Sequence, residues 1–332
     1  MLIRIFLIFL LCVSSSFVSA ADQTELKKYS IKIIKGGLYS SNEDVRIESL
    51  ILMGKNKVVD STAKKKVIAI LKGSQSDYER AASIYCLSNV KDKSAIALWK
   101  QILEEKKTDF NLSRIAAAVA LYNLGEKNAL KVIETYLNGS DTGAAIEAAR
   151  SAGQLNDGSA ISLLRSTLNK KTGMLKIALI ESLAKLEDKI SDEEINFLFK
   201  NNALWPALKV IKITANKKYI HEVKKAINSD NPLVRLEASV AFSKIGGTNS
   251  KKIVKEYLFS KQDKYGEYSG EDVRLFALDA LSEIGDTSDL PLLKKYLDSQ
   301  NEKERVAAAG SILAILNREA SSQTDRGLST AR

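Results

Sequence analysis

Histidine is almost absent from this chain of 332 residues: His221 is the only one, beside two cysteines (Cys12 and Cys86), two tryptophans and three prolines. A single histidine cannot furnish an ordinary zinc site within one chain, and it leaves nothing from which to expect a Ser-His or Cys-His nucleophile pair. No Gly-rich phosphate loop follows a strand pattern, and no strands are expected at all. The acidic clusters Glu104-Glu105 and Asp192-Glu193-Glu194 are the remaining catalytic candidates. The second follows Ser191 at an expected helix start, where acidic residues complement the helix dipole without any chemistry. A non-enzymatic protein without cofactor or metal is therefore expected. There is also no Pro/Gly/Ser-rich linker, no charge block and no shift of composition along the chain, so nothing marks a second domain.

The one apolar run of any length, Ile5–Val13, lies at the start. It is preceded by Arg4 and followed by a Ser-rich passage and by Val18-Ser19-Ala20, the layout of a secretory signal peptide with cleavage expected after Ala20. The run is too short for a comfortable membrane span, which sets aside an uncleaved anchor. The mature chain, without a transmembrane span, is then expected to be exported, periplasmic or secreted. Cleavage removes Cys12 and leaves Cys86 alone, which rules out an internal disulfide; a buried, inert thiol is expected there.

What the chain has in abundance is a repeating pattern. Asp230–Gly246, DNPLVRLEASVAFSKIG, reads as one helix: Asp230 as N-cap, Pro232 in the first turn, Leu233, Val234, Ala238, Ala241, Phe242 and Ile245 on one face, and Gly246-Gly247 as the stop. A second apolar-periodic run, Ile253, Val254, Tyr257 and Leu258, completes a helical hairpin. With Arg235 as reference, equivalents fall at Arg46, Arg80, Arg114, Ala145, Lys176, roughly Ala203, Arg274 and Arg305, at intervals of 27 to 39 residues. Three positions later the residue is small (Ser49, Ser83, Ala117, Ala148, Ala238, Ala277, Ala308), and ten positions later it is apolar. Self-similarity at this period marks a solenoid.

The pattern D-x-x-V-R-x-x-A-x-x-A-L-x-x-I/L-G, followed well by Asp230–Gly246 and Asp272–Gly285, resembles the short HEAT-like repeats of the phycobilisome lyase type. The likeness implies an all-α, α-α superhelical solenoid of about nine hairpins. It implies no site, because the catalytic HEAT-like deoxyhypusine hydroxylases rely on several His-Glu pairs and His221-Glu222 is the only one here. The expected organisation is a signal peptide over 1–20, a capping helix over 21–38, the solenoid over 39–316 and a polar, unstructured tail over 317–332. At Trp205-Pro206 the pattern breaks, and a kinked or shortened first helix is expected. The long interval before Arg274 places a polar loop at Ser260–Gly270, carrying Tyr265 and Tyr268; insertions in repeat arrays map to loops, often on the binding face. Tyr136, Tyr257 and Tyr296 recur in the second helices, with rings expected at the boundaries between units and hydroxyls in water.

The net charge of +10 is local rather than spread: residues 51–100 hold ten basic and four acidic side chains, and 201–250 hold eight and three. Lys64, Lys65, Lys66, Lys217, Lys218, Lys224 and Lys225 fall on or beside expected second helices, which line the concave side in HEAT-like arrays. A basic concave stripe would attract an acidic partner, an anionic glycan or a lipid headgroup; a merely solvated helix face is the bland alternative. Nucleic acid is not expected, given the address and the lack of Arg/aromatic interleaving. The expectation is an exported, non-enzymatic scaffold that binds a protein partner through an extended surface, with the lysines, Trp205, Tyr265 and Tyr268 as candidate contacts. The alternatives are a binder of anionic envelope components acting through the lysine stripe and, third, an enzyme of unrecognised type.

Overall fold

The computed structural model describes residues 19–105, 111–155 and 158–329, with side chains through Thr324. The expected signal segment, Cys12 included, lies outside the described residues except for Ser19 and Ala20. The chain is an all-α solenoid. Helix α1 (Ala20–Gly37) precedes a run of hairpins: α2 (Glu43–Asn56) with α3 (Ser61–Gly73), α4 (Asp77–Asn89) with α5 (Ile96–Glu104), and α6 (Asn111–Asn123) with α7 (Leu130–Asn138). These continue as α8 (Thr142–Ala152) with α9 (Gly158–Leu168), α10 (Gly173–Lys185) with α11 (Asp192–Lys200), α12 (Leu204–Thr214) with α13 (Ile220–Ile227), and α14 (Pro232–Lys244) with α15 (Ser250–Phe259). A hairpin of β1 (Lys264–Tyr265) and β2 (Tyr268–Ser269) leads to α16 (Gly270–Ile284), α17 (Leu290–Tyr296) and α18 (Glu302–Ser329). The helices group into two compact units, one spanning Leu38–Ser250, the other formed by Lys251 onward together with the segment ending at Gly37.

Within the Leu38–Ser250 unit the first helices α2, α4, α6, α8, α10, α12 and α14 pack flank to flank in chain order, and each second helix wedges against the first helix that follows it. The small residues make this possible. Ser49, Ser83, Ala117, Ala148 and Ala238 are all fully buried, each three positions after its reference residue, where a larger side chain would hold neighbouring helices apart. At Gly54 the approach is closer still, since a Cβ there would stand 2.9 Å from Cys86 Cα of α4. The reference arginines tie successive repeats together: Arg46 bonds the Ser40 and Ser41 carbonyls and pairs with Glu79. Arg114 donates to Leu103 O and Arg235 to Ile227 O, each satisfying carbonyls where the preceding second helix ends.

Several local expectations shift. Asn231, not Asp230, caps α14, its Oδ1 accepting from Leu233 N at 2.9 Å and Val234 N at 3.2 Å. Trp205-Pro206 does not interrupt a helix: Pro206 sits in the first turn of α12, where its missing N–H leaves no bond unmade. The reference residue of that repeat is Leu204 rather than Ala203, because Ala207 is then the fully buried small residue. Ser191 and Glu194 form a reciprocal capping box at the start of α11, as expected of the acidic run there.

In the other unit α1 packs against α18, with Leu26 and Ile34 buried and Lys27 Nζ 3.0 Å from Asn317 Oδ1. The segment from Asn317, expected as an unstructured tail, continues α18 as helix to Ser329. Arg318 explains it: its guanidinium donates to Ser282 O and Gly285 O, both at 2.7 Å, closing the C-terminal carbonyls of α16. The loop at Ser260–Gly270 is not purely irregular, since Lys264 pairs with Ser269 and Tyr265 with Tyr268 across a two-residue turn in which Gly266 takes φ +64°. Two strands thus stand where none was expected.

Candidate interaction groove

The lysines singled out from the sequence fall into two separate groups on the second-helix side, with α5, α7, α9 and α11 between them in the array, so the structure does not join them into one stripe. Several are engaged. Lys64 pairs with Asp92 at 2.8 Å, Lys218 pairs with Asp192, Lys66 lies 5.0 Å from the Tyr39 ring centroid and Lys224 5.9 Å from that of Phe242. Lys65, Lys217 and Lys225 face solvent. Trp205 is half-buried on the first-helix side, its Nε1 3.1 Å from Glu237 Oε2 and its ring under Lys209 at 5.1 Å. Tyr265 packs edge-on against Tyr257 at 5.5 Å, and Tyr268 pairs across the hairpin. The recurring tyrosines do not leave their hydroxyls to water: Tyr136 Oη bonds Asn111 Oδ1 at 3.1 Å and Tyr296 Oη bonds Leu258 O.

A concavity lies elsewhere, across the first helices α2, α4, α6 and α8. It is an open groove of about 710 Å³ with an apolar floor of Ile47, Ile51, Ala81, Ala116 and Val119. Tyr78 and Tyr85 form an aromatic wall, and Tyr78 is 68% exposed. Along the C-terminal edge of the same helices run Asn89, Asn123 and Gln154, one amide side chain per repeat, with Ser88 and Ser151 beside them. Asn89 Nδ2 donates to Tyr85 O at 2.9 Å, and Asn123 Nδ2 reaches Gln154 O at 3.1 Å while its Oδ1 is buried without a donor. A buried acceptor left unmade costs on the order of 1–3 kcal/mol.

Lys57 and Lys91 stand at the same edge, each just past the end of its helix. Both adopt the left-handed conformation, φ 54° and 55°, where the equivalent residue of the next repeat is Gly125. Neither has a carboxylate partner among the described residues. Glu147, the one acid in the groove wall among the described residues, is already paired with Arg150 at 2.7 Å.

Beyond the groove the first-helix face changes character and becomes charged. Glu181 and Lys185 on α10 and Lys209 and Lys212 on α12 follow Arg150, and Lys212 closes on Glu237 of α14 at 2.9 Å. Desolvation by the surrounding helices lowers the Lys185 ammonium below its usual range, and Lys209, Arg150 and Lys212 push the same way against Glu181. Lys64, the acid clusters and the loop tyrosines drew attention in the sequence, whereas this face did not. Its signal was present all the same: α2, α4 and α6 carry apolar residues on two faces, where one face suffices to dock a surface helix.

No family model and no curated protein matches the chain. Among solved structures it is similar to an engineered protein at 14% identity, covering 91% of this chain and 96% of that one, with a TM-score of 0.30. Human deoxyhypusine hydroxylase in complex with glycerol is similar at 13% identity, 89% and 98% coverage and a TM-score of 0.36. A second engineered protein stands at 15%, 87% and 96%, with a TM-score of 0.22. At such values the likenesses assign neither family nor site, and the solenoid rests on the chain's own helix pairing.

Proposed function

We propose that this chain is an exported, non-enzymatic scaffold of HEAT-like repeats that binds a protein partner on its first-helix face. The groove across α2, α4, α6 and α8 carries the proposal, because it presents apolar and aromatic surface that the fold itself does not cover. Two features support the HEAT-like assignment: fully buried small residues three positions after most reference residues, and arginines at the reference position that close the preceding repeat. Export is supported by the layout of residues 1–20, and among the described residues no helix is long and apolar enough to cross a membrane. The shortage of histidine favours binding over catalysis. Site-specific photocrosslinking in source cells tests the assignment, with a benzophenone side chain at Tyr85 in the groove or at Lys100 on exposed α5. A partner captured from position 85 and not from position 100, on a chain whose N-terminus by mass spectrometry is Ala21, is the expected result. Equal capture from both, or a retained N-terminus, refutes the corresponding part.

A further inference from the structure

We infer that the groove takes one extended polypeptide segment, an apolar run with a pair of acidic residues at one end, laid across the first helices with its carboxylates at Lys57 and Lys91. This deepens the scaffold assignment and rests on it. The dimensions suit a strand: four helices at the usual interaxial distance of 8–10 Å span roughly 24–30 Å, the length of about eight extended residues. The lining suits one as well. An extended segment brings unpaired backbone N–H and C=O groups, and the edge offers one amide per repeat in Asn89, Asn123 and Gln154, each able both to donate and to accept. A docked helix would satisfy its own backbone and leave these amides idle. Alternate side chains of the strand would fall on Ile47, Ile51, Ala116 and Val119, with Tyr78 and Tyr85 flanking them.

Charge selects the composition. Glu147 is neutralised by Arg150, so among the described residues the two lysines are the uncompensated charges of the groove. A helix C-terminus favours a cation nearby, which accounts for lysine at such a place in general. It does not account for lysine in a left-handed conformation, where glycine is the unstrained choice and where Gly125 sits one repeat later. Two lysines at equivalent positions of successive repeats meet two acidic groups on a strand crossing them.

The test selects displayed random dodecapeptides against the full chain and measures the enriched sequences, resynthesised with a fluorescein label, by fluorescence polarisation. Peptides with a run of apolar residues and two Asp or Glu at one end are expected, with binding that weakens as salt is raised. Ala116→Arg, which fills the groove floor, should abolish binding. The double variant Lys57→Gly, Lys91→Gly should weaken it about tenfold, as expected for loss of two exposed charge pairs. Because glycine relaxes both left-handed positions, that variant should melt at or above the native midpoint, which separates lost recognition from lost folding. Enrichment of peptides without acidic residues, of amphipathic helical sequences, or of nothing at all overturns the inference, as does undiminished affinity in the double variant. Should Tyr85 crosslink a partner while any of these results holds, the scaffold assignment survives and the strand does not.

Discussion

The left-handed residue that ends the first helices offers a prediction whose sign is set by backbone geometry alone. Eleven positions after the reference residue the chain turns through positive φ at Lys57, Lys91, Gly125, Glu187, Ala215 and Gly246, with angles between 48° and 106°. A non-glycine residue there costs roughly 1–2 kcal/mol, and glycine restores about 0.5–1 kcal/mol of unfolded-state entropy to be lost on folding. Ala215 is the clean case, since it is exposed and carries the smallest side chain of the non-glycine residues there. Ala215→Gly should therefore stabilise by about 0.5–1 kcal/mol. At Gly246, φ +95° lies beyond the ordinary left-handed well, so Gly246→Ala should destabilise by more than about 1 kcal/mol. Urea unfolding followed by far-UV circular dichroism measures both, as opposite shifts of the midpoint at unchanged slope. A lowered midpoint for Ala215→Gly would refute the reasoning, and a raised midpoint for both variants would show that something other than φ decides the turn.

Three further outcomes follow from particular contacts. Gly54→Ala, which in an exposed helix would stabilise, should instead cost roughly 1–3 kcal/mol, because the new methyl meets the Cys86 backbone at 2.9 Å; an unchanged melting midpoint would mean that α2 and α4 are not pressed together. Burial pushes the Cys86 thiol up to about 12, so a disulfide reagent at pH 8 should leave it unmodified in the native chain and modify it fully in urea, and labelling within minutes without urea would contradict its burial. Burial works to raise the Asp286 carboxyl, but Lys251 at 2.5 Å and the Ser288 contacts outweigh it and hold it at about 2. A carboxyl depressed on folding stabilises above its unfolded value near 4 and loses that contribution as pH falls towards 2. With Asp286 more than half exposed, the contribution is no more than about 1 kcal/mol; Lys251→Met should remove it at pH 6 and leave stability at pH 2 unaltered.

How far the sequence foretold this fold depends on whether the determining contact is local. The small residue three positions after the reference was legible because first helices pass their neighbours at the same point and the requirement recurs in most repeats, Leu179 of α10 being the exception: Ser49, Ser83, Ala117, Ala148, Ala238, Ala277 and Ala308 are all fully buried. The cap of α14 was misplaced by one position because Asp230 and Asn231 are equally good caps, and only the register of α14 chooses between them. Continuation of α18 past Asn317 was invisible because the apolar period stops there; what sustains it is Arg318, whose partners lie more than 30 residues back on another repeat. The strand pair was missed for a different reason: two residues on either side of Gly266-Glu267 are too few to show an alternation.

The groove lies at the far end of this scale. Its floor brings together Ile47, Ala81, Ala116 and Glu147 from four repeats, and no window of sequence contains them. Lysine counting turned instead to the second helices, where Lys64 and Lys218 prove to be spent on Asp92 and Asp192 within the array. Yet the first helices did carry a legible surplus. A helix buried along one stripe needs apolar residues on one face, and α2, α4 and α6 have them on two, the second holding Ile51, Tyr85 and Ala116. In a solenoid whose neighbours already fill the flanks of each helix, an apolar residue on the remaining face has no packing role to perform. Surplus apolarity on the first helices, read against what stacking consumes, is therefore the sequence signal that matches the groove, because the repeats can neutralise charge among themselves, as Lys64 and Lys218 do, and leave an extra apolar face uncovered.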